Sequence, residues 1–320
     1  MKIIFFGSSH FAVPALEALI KSKQDICCVV TQPDQKKGRH LHLAGTDVKF
    51  VAQKADLEIF QPKDVNSAES VKQIIKFGAD LFVVVAYGQI LSQKVLDIPK
   101  ILPINIHASL LPKYRGAAPV NWAIMQGDRT TGITIMQVTR KMDSGPIILQ
   151  EAISIADNDD SVIIEEKLRK LGSELLIEAL DEIKNKKYKL VAQDEEKVSY
   201  APKLKKTDGY IDWCKNSVEI YNLIRGSLPW PGAFTYFKNK TLKIFKAKCM
   251  EGLSQQDSVS CSHVLAVNQD GILVVCGKGV LVIEELQLEG GKRMNAKDFV
   301  HGHKVKIGDC FGSYYKKAVE

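Results

Sequence analysis

The sequence predicts an α/β protein with a Rossmann-like, doubly wound and mostly parallel sheet, followed by a smaller C-terminal β-barrel of the OB-like type. Two observations support this prediction. Short apolar runs alternate with helix-like stretches through the first half of the chain. From Gly209 the pattern changes to short β runs separated by turns, including the hairpin signal Asp270-Gly271. The length of 320 residues also favours two domains over one.

Charge divides the chain in a similar way. Residues 1–182 carry 21 basic and 22 acidic side chains, whereas residues 183–207 carry 8 basic and 3 acidic ones. We therefore expect an α/β domain over residues 1–189, a basic linker over 190–207 and a β domain over 208–320. A basic connector and rear domain suit a polyanionic partner, although a solvated lysine-rich linker explains the charge equally well.

Composition argues against several classes of protein. The seven cysteines are odd in number and scattered, and they form no CxxC or Cys/His spacing, so neither a disulfide framework nor a zinc site is indicated. Reduced thiols fit a cytoplasmic protein. The N-terminal MKIIFF is too short for a signal-peptide core, and no apolar run approaches membrane-spanning length. We expect a soluble cytoplasmic protein without a membrane partner.

The N-terminal segment reads as a strand, a turn and a helix. Residues Lys2 to Gly7 are an apolar run ending in glycine, and Pro14 lies near the first turn of the following helix. A second strand, Ile26 to Val30, ends at Gln32-Pro33-Asp34. A nicotinamide-binding site is the obvious rival interpretation, but the turn GSSHFA has one glycine where the dinucleotide fingerprint needs three. Dinucleotide binding is therefore disfavoured.

The remaining elements of the α/β domain follow in order. They are a long polar and mobile loop over 33–49, a helix over 65–77, a strand over 81–86, a turn at Tyr87-Gly88-Gln89-Ile90, a strand ending at Asn105–His107, a helix over 117–125, a strand over 132–138, a turn over 142–146, a strand over 147–155, and a long amphipathic helix capped by Asp159-Asp160-Ser161. This alternation is typical of a parallel sheet.

Three polar side chains near strand ends carry the candidate chemistry. Asn105 and His107 are two residues apart on one strand, so they point to the same face, and Asp143 lies in a later turn. Ser109 is not flanked by the glycines of a nucleophile elbow, and an amide is a poor ligand for transition metals. An amide donor, an imidazole and a carboxylate suit direct acyl transfer. A strand–loop–helix junction with a satisfied core histidine remains the alternative.

Several segments resemble one family. They are NIHASLLPKYRGAAPVNWAI with MDSGPI downstream, IIFFGSSHFAVPALEAL, VVAYGQIL, LRKLGSELL, YAPKLKKTDGYIDW, IRGSLPWPGAFT and GGKRMNAKDFVHG. The chain resembles, over nearly its whole length, the formyltransferases that use 10-formyltetrahydrofolate, and among them those whose acceptor is methionyl-initiator tRNA. The resemblance implies that residues 1–189 are a catalytic domain and that the β domain binds tRNA.

The resemblance also assigns roles to residues, with no metal among them. It implies that Asn105, His107 and Asp143 are catalytic. The folate site would contain Ser109, Leu110, Leu111 and Pro112, with Tyr87, Gly88 and Ile90 beside the pterin. The tRNA would contact Lys36, Lys37 and Arg39 in the loop, and Lys203, Lys205 and Lys206 in the connector.

Two departures from the family pattern stand out. The family usually continues its loop with lysines after Gly-Arg, whereas this chain has His40-Leu41-His42-Leu43-Ala44. This leaves fewer fixed charges for tRNA. Ser92 stands where the family commonly has a proline, which we expect to affect helix entry alone.

The leading hypothesis is formyl transfer from 10-formyltetrahydrofolate to the amino group of methionyl-initiator tRNA by a monomer. A formyltransferase with a small acceptor, an aminosugar nucleotide or glycinamide ribonucleotide, is the alternative. The glycinamide ribonucleotide enzymes typically lack the rear β domain, and the aminosugar enzymes lack the QPD…GR loop. A third hypothesis is a non-catalytic RNA-binding protein that binds tRNA without folate dependence.

Overall fold

The computed structural model describes residues 1–37, 42–250 and 260–312. The chain divides into two compact units. The first contains Met1–Pro119, Thr130–Ser154 and Ile164–Pro202, and the second contains Val120–Arg129, Ile155–Ile163 and the chain from Lys203 onward. Each unit therefore contains segments that are separated in the sequence.

The first half of the chain alternates between strands and helices. The strands are β1 (Lys2–Gly7), β2 (Asp25–Val30), β3 (Gln35–Lys37), β4 (His42–Ala44), β5 (Ile59–Phe60), β6 (Leu81–Val85), β7 (Leu102–His107), β8 (Arg115–Gly116), β9 (Thr130–Gln137), β10 (Ile147–Ser154) and β11 (Tyr200–Ala201). The helices are α1 (Val13–Lys21), α2 (Asp47–Lys54), α3 (Ala68–Lys76), α4 (Gln93–Leu96), α5 (Pro119–Met125) and α6 (Ser161–Lys184).

Seven strands of the first unit form one sheet in the order β10-β9-β7-β6-β1-β2-β5. Five of them run parallel, and β9 and β10 complete the sheet in antiparallel ladders. The predicted mostly parallel, doubly wound sheet is confirmed. The chain proceeds from β1 to β2 and β5 on one side, and then places β6 and β7 on the other side of β1. The crevice at such a reversal, beyond the carboxyl ends of β1 and β6, is where open α/β sheets bind ligands.

The central strand explains why this sheet forms. Ile3, Ile4, Phe5 and Phe6 of β1 are fully buried, as expected for a strand covered on both faces. The ring of Phe6 packs 4.9 Å from that of Phe82 in β6, measured between ring centroids. Burying each such aromatic side chain stabilises the fold by about 1.5–3 kcal/mol.

The segment over 33–49 differs from the expected loop. Strands β3 and β4 pair as an antiparallel ribbon, and α2 begins at Asp47. The helix starts there because the side chain of Thr46 accepts a hydrogen bond from the backbone N–H of Lys49, which satisfies one free donor of the first turn. Residues 38–41, which include Arg39 and the first two residues of the His40–Ala44 departure, lie outside the described residues.

A six-stranded antiparallel sheet forms the second unit. Its strands are β12 (Ala233–Phe237), β13 (Lys240–Met250), β14 (Val264–Asn268), β15 (Gly271–Val275), β16 (Val280–Leu288) and β17 (Met294–Asn295), and its further helices are α7 (Ser217–Gly226) and α8 (Ala296–His303). The order is β12-β13-β16-β15-β14, with β17 beside β16. The predicted rear β domain is confirmed, and the expected hairpin joins β14 to β15. Closure of the sheet into an OB-like barrel stays a prediction.

The core of the second unit lies between this sheet and its helices. Strand β13 alternates buried and exposed residues, which gives the sheet one covered face. Trp213 is 4% exposed, and its ring N–H donates to the hydroxyl of Thr235 at 3.0 Å. Helix α7 begins with a capping box between Asn216 and Glu219, and it buries Ile220 in this core. Across the described residues, we find no helix that combines the length and apolar character needed to cross a bilayer.

Candidate active site

His107 ends β7 and is a buried polar group of the candidate site. Its side chain is 6% exposed, and its Nε2 lies 2.9 Å from the carbonyl oxygen of Tyr114. Because a carbonyl oxygen only accepts, Nε2 carries a proton in this arrangement. The other ring nitrogen, Nδ1, lies 3.7 Å from the Oδ2 atom of Asp143. The structure therefore brings two of the three predicted catalytic residues together.

The carboxylate of Asp143 is held by a backbone donor. Its Oδ2 accepts a hydrogen bond from the N–H of Gly116 at 2.8 Å, and its side chain is 14% exposed. Asp143 has a φ of +49°, a left-handed conformation that is uncommon for residues other than glycine. Such a conformation is retained where neighbouring contacts determine it. The carboxylate is thus fixed next to the imidazole.

Asn105 is half-buried and lies two residues before His107 on β7. Its neighbours on the adjacent strands are Val84 of β6 and Met136 of β9. Alternation along β7 places the side chain of Asn105 on the same face of the sheet as that of His107. An amide and an imidazole thus face one side of the sheet, with a carboxylate beside the imidazole.

The loop that carries Asp143 is bound to a later part of the chain. The side-chain amide of Gln193 donates to the carbonyl oxygens of Asp143 and Gly145, at 2.8 Å in both cases. Its oxygen accepts from Arg115 Nε and Nη2 at 3.0 and 2.8 Å. Arg115 is 1% exposed and also pairs with Glu195, with Nη2 2.7 Å from Oε1. Residues of the expected linker therefore fold onto the first unit.

Electrostatics agree with this geometry at Glu195. Hydrogen bonds from Arg115, and then from Lys141, lower the pKa of the Glu195 carboxyl to about 2. The carboxylate therefore stays charged throughout the neutral range and balances the buried guanidinium.

Hydrogen bonds fix the segment Ser109–Pro112, which was predicted to line the folate site. The Ser109 hydroxyl donates to the carbonyl oxygen of Lys113 at 2.6 Å, and the Ser109 side chain is fully buried. Thr134 donates to the Ser109 carbonyl, and Gln150 donates to the Leu111 carbonyl. Leu111 is also buried, which leaves Leu110 and Pro112 as the half-buried members of the segment.

The second predicted folate segment follows β6, at the reversal point of the sheet. Tyr87 is 2% exposed and packs against Phe6, so a ligand there would meet its backbone rather than its ring. The hydroxyl of Ser8, just after β1, donates to the Tyr87 carbonyl at 2.9 Å. Gly88 has a φ of +94°, and Ile90 is 70% exposed. Apolar surface next to uncovered backbone suits a flat heteroaromatic ring.

The predicted tRNA-binding residues lie in two places. Lys36 and Lys37 belong to β3, whereas Arg39 lies outside the described residues. Lys203, Lys205 and Lys206 are exposed and follow β11. As for metals, the described part of the chain contains no cluster of three or more His, Cys, Asp or Glu side chains suited to an ion.

Sequence reasoning missed the residues that support this site. Arg115, Gln193, Thr134 and Gln150 come from four separate segments. Arg115 lies inside the family-like segment NIHASLLPKYRGAAPVNWAI but was given no role there. The available signal was an arginine between an aromatic residue and a glycine.

The fold and the site together define an α/β group-transfer enzyme with a second, antiparallel β domain. Two family models match the chain: "Formyl transferase" over residues 1–180 and "Formyl transferase, C-terminal domain" over residues 203–304. The chain belongs to the formyl transferase family, in the branch of the methionyl-tRNA formyltransferases.

Curated relatives define that branch. The methionyl-tRNA formyltransferase of Geobacter metallireducens is 44% identical over 312 residues, which cover 98% of this chain and 99% of that protein. The enzyme of the same name from Acetivibrio thermocellus is 41% identical over 98% of this chain and all of that protein. The similarity spans both units.

Solved structures share the fold at lower identity. WlaRD, a sugar 3N-formyl transferase solved in the presence of dTDP and 5-N-formyl-THF, superposes with a TM-score of 0.67 at 21% identity, covering 91% of this chain and 99% of that one. HypX from Aquifex aeolicus, in complex with tetrahydrofolic acid, gives 0.60 at 16% identity over all of this chain and 50% of that one. At these identities the likeness concerns the fold alone.

Proposed function

We propose that this protein transfers the formyl group of 10-formyltetrahydrofolate to the amino group of methionyl-initiator tRNA, giving the formylmethionyl-tRNA that starts translation. The observation that carries the proposal is the pairing of His107 with Asp143 at the end of β7, in a chain with 41–44% identity to methionyl-tRNA formyltransferases over both units. The enzyme acts in the cytoplasm as a monomer.

The proposed reaction forms one bond and breaks another. The amine nitrogen of the methionyl group attacks the formyl carbon, and the bond from that carbon to N10 of the folate then breaks. Asn105 donates a hydrogen bond to the oxyanion of the tetrahedral intermediate. The imidazole of His107 accepts the proton of the attacking amine, Asp143 stabilises the resulting imidazolium, and the proton passes to N10.

The proposed binding site for the folate donor consists of the two loops that follow β6 and β7. These strands are neighbours in the sheet, so the exposed Ile90 and the half-buried Leu110 belong to adjacent strand ends. We propose that the pterin ring lies between them, with its hydrogen-bonding edge towards the backbone at Gly88. Folate compounds in the solved relatives support a folate-derived donor in this family.

The proposed contacts with the tRNA acceptor are made by the exposed lysines after β11. Lys203, Lys205 and Lys206 would contact phosphates of the tRNA, and such contacts weaken as salt increases. Replacing all three with Gln should raise the KM for tRNA and flatten its salt dependence by about one log–log unit per lost phosphate contact. The KM for the folate donor should not change.

The direct test incubates the purified protein with 10-formyltetrahydrofolate and either methionyl-initiator or methionyl-elongator tRNA. Formylmethionyl-tRNA should form, with a preference for the initiator. Because solved relatives include sugar N-formyltransferases, a dTDP-aminosugar and glycinamide ribonucleotide serve as competing acceptors. Faster formylation of a small amine would replace the proposed acceptor, and tRNA binding without folate binding would remove the catalytic role altogether.

A further inference from the structure

Gln193 occupies a position between a buried cation and the loop that carries the catalytic carboxylate. Both hydrogens of its amide are used by the carbonyl oxygens of Asp143 and Gly145. Its oxygen receives two N–H groups from Arg115. The amide can be oriented in one way alone, because the reverse orientation would set its NH₂ against the guanidinium and its oxygen against two carbonyls.

This arrangement links Asp143 to three anchors. The Gly116 N–H holds the carboxylate from the side of β8, and β8 itself pairs with β11. The Gln193 amide holds the backbone of the same residue, which has the unfavourable φ of +49°. Arg115 fixes Gln193 and is in turn fixed by Glu195. Each link is a hydrogen bond within the first unit.

We infer that Gln193 is a positioning residue for the formyl-transfer reaction: its amide holds the backbone of Asp143 so that the carboxylate faces Nδ1 of His107. The inference rests on the proposed function. Gln193 does not contact the reacting atoms in this scheme, and its effect passes through Asp143. The segment between the two domains is accordingly part of the catalytic apparatus.

The chemistry of the side chain explains why a glutamine is needed. A glutamate has nearly the same shape and would still accept both hydrogen bonds from Arg115. Its carboxylate has no hydrogen to donate, so it would place negative oxygens against the carbonyls of Asp143 and Gly145. Gln193→Glu therefore keeps the contact with the guanidinium and breaks the tether to the catalytic loop. The two functions of the side chain are separated by one substitution.

The experiment measures single-turnover formyl transfer for the wild type and for Gln193→Glu. We expect the single-turnover rate constant to fall about 10- to 100-fold, since two part-buried hydrogen bonds are lost, while the steady-state KM values for folate and tRNA stay within about threefold. Gln53→Glu is the matched control, because it makes the same chemical change at an exposed position of α2. Its rate should equal that of the wild type.

A double-mutant cycle separates positioning from mere support of the fold. If Gln193 acts through Asp143, then adding Gln193→Glu to Asp143→Ala should change the remaining rate by less than about threefold. An equal loss in both backgrounds would show an independent structural role and overturn the inference. So would an active Gln193→Glu enzyme with a kcat within about twofold of the wild type.

Two further measurements keep the result interpretable. Thermal unfolding of each variant shows whether the fold is retained. Should Gln193→Glu unfold, Gln193→Met, which preserves the length of the side chain without its donors, is placed in both backgrounds and judged by the same outcomes. A wild type that formylates no acceptor would contradict the proposed function itself, whereas an active wild type with an insensitive position 193 contradicts the positioning role alone.

Discussion

Two aspartates of the first unit follow strands of the same sheet, yet their surroundings differ. Asp34 comes after β2, and the ammonium of Lys49 lies 2.8 and 2.6 Å from its two carboxylate oxygens. Gln61 adds a hydrogen bond at 2.8 Å. Asp143 faces an imidazole at 3.7 Å and accepts from a backbone N–H. One carboxylate is paired with a lysine ammonium, and the other faces a histidine, a residue type that commonly transfers protons.

The contrast teaches how the role of a carboxylate depends on its partner. Asp34 and Lys49 form an ion pair that braces the chain where the β3–β4 ribbon begins. Asp143 faces a histidine, the residue type that most often transfers protons in catalysis, so its carboxylate can act on a proton transfer. We expect the first pair to affect stability and the second to affect rate.

Asp143→Asn should have the largest effect on rate. The amide oxygen still accepts the hydrogen bond from Gly116, while the charge that faces His107 disappears. We expect kcat to fall about 10²- to 10⁴-fold, the range typical of lost acid–base assistance, with an unfolding midpoint close to that of the wild type. Steady-state kinetics and calorimetry measure the two quantities. A folded variant within tenfold of the wild-type rate would remove Asp143 from the mechanism.

Gly116→Ala should come next, because it disturbs the donor that holds the carboxylate. Gly116 has a φ of +127°, and an added Cβ would lie 2.6 Å from the carbonyl oxygen of Ala201. We expect about a tenfold loss of kcat and a destabilisation of about 1–3 kcal/mol. Gly78→Ala is the control, since Gly78 also has a positive φ but no described atom within 4 Å of the added Cβ. Equal rate losses in Gly116→Ala and Gly78→Ala would show that backbone strain, and not a weaker hold on Asp143, lowers the rate.

Asp34→Asn should leave the rate nearly unchanged. The new amide oxygen can still receive the hydrogen bond from Gln61, but the ion pair with Lys49 is lost. We expect kcat within about threefold of the wild type and a lower midpoint of thermal unfolding. Lys49→Met should lower the midpoint in the same way. A loss of rate as large as that of Asp143→Asn would erase the distinction between the two aspartates.

The smallest expected effect is the pH dependence of the stability that Asp34 contributes. Hydrogen bonds from Gln61 and then Lys49 hold the pKa of Asp34 below its usual range. A carboxyl with a lowered pKa contributes stability above its unfolded pKa of about 3.9 and loses it as the pH falls through the folded value. The difference in unfolding midpoint between the wild type and Asp34→Asn should therefore be constant from pH 8 to about 5 and shrink below about 4. A difference that grows on acidification contradicts the pairing.

The sequence was sufficient to predict the sheet of the first unit, but it was not sufficient to predict every residue of the candidate active site. Strands such as β1 and β6 are continuous apolar runs, and Asn105 and His107 share a face because they alternate on one strand. Local rules determine such features. Helix α3 begins at Ala68 rather than Val65 because the hydroxyl of Ser67 accepts from the backbone N–H of Ser70, a cap that apolar spacing does not reveal.

Long-range contacts account for what was missed. The Gly116 N–H that holds the Asp143 carboxylate was missed, and so was Gln193, which reaches Asp143 because of the way the chain returns after α6. Each pairing joins loops far apart in the sequence, and neither carries a periodic signal. The connector shows what sequence patterns do not reveal. Its lysines indicated a linker, whereas Gln193 and Glu195 within it bind the buried Arg115.

The buried guanidinium of Arg115 also determines where the protein can be cut. A fragment that ends at residue 189 would lack both Gln193 and Glu195, and would leave several N–H groups of Arg115 without acceptors, at a cost of about 1–3 kcal/mol for each buried one. It would also lose β11, the partner of β8. A fragment meant to keep the first unit intact should therefore extend to Pro202, the last residue of that unit.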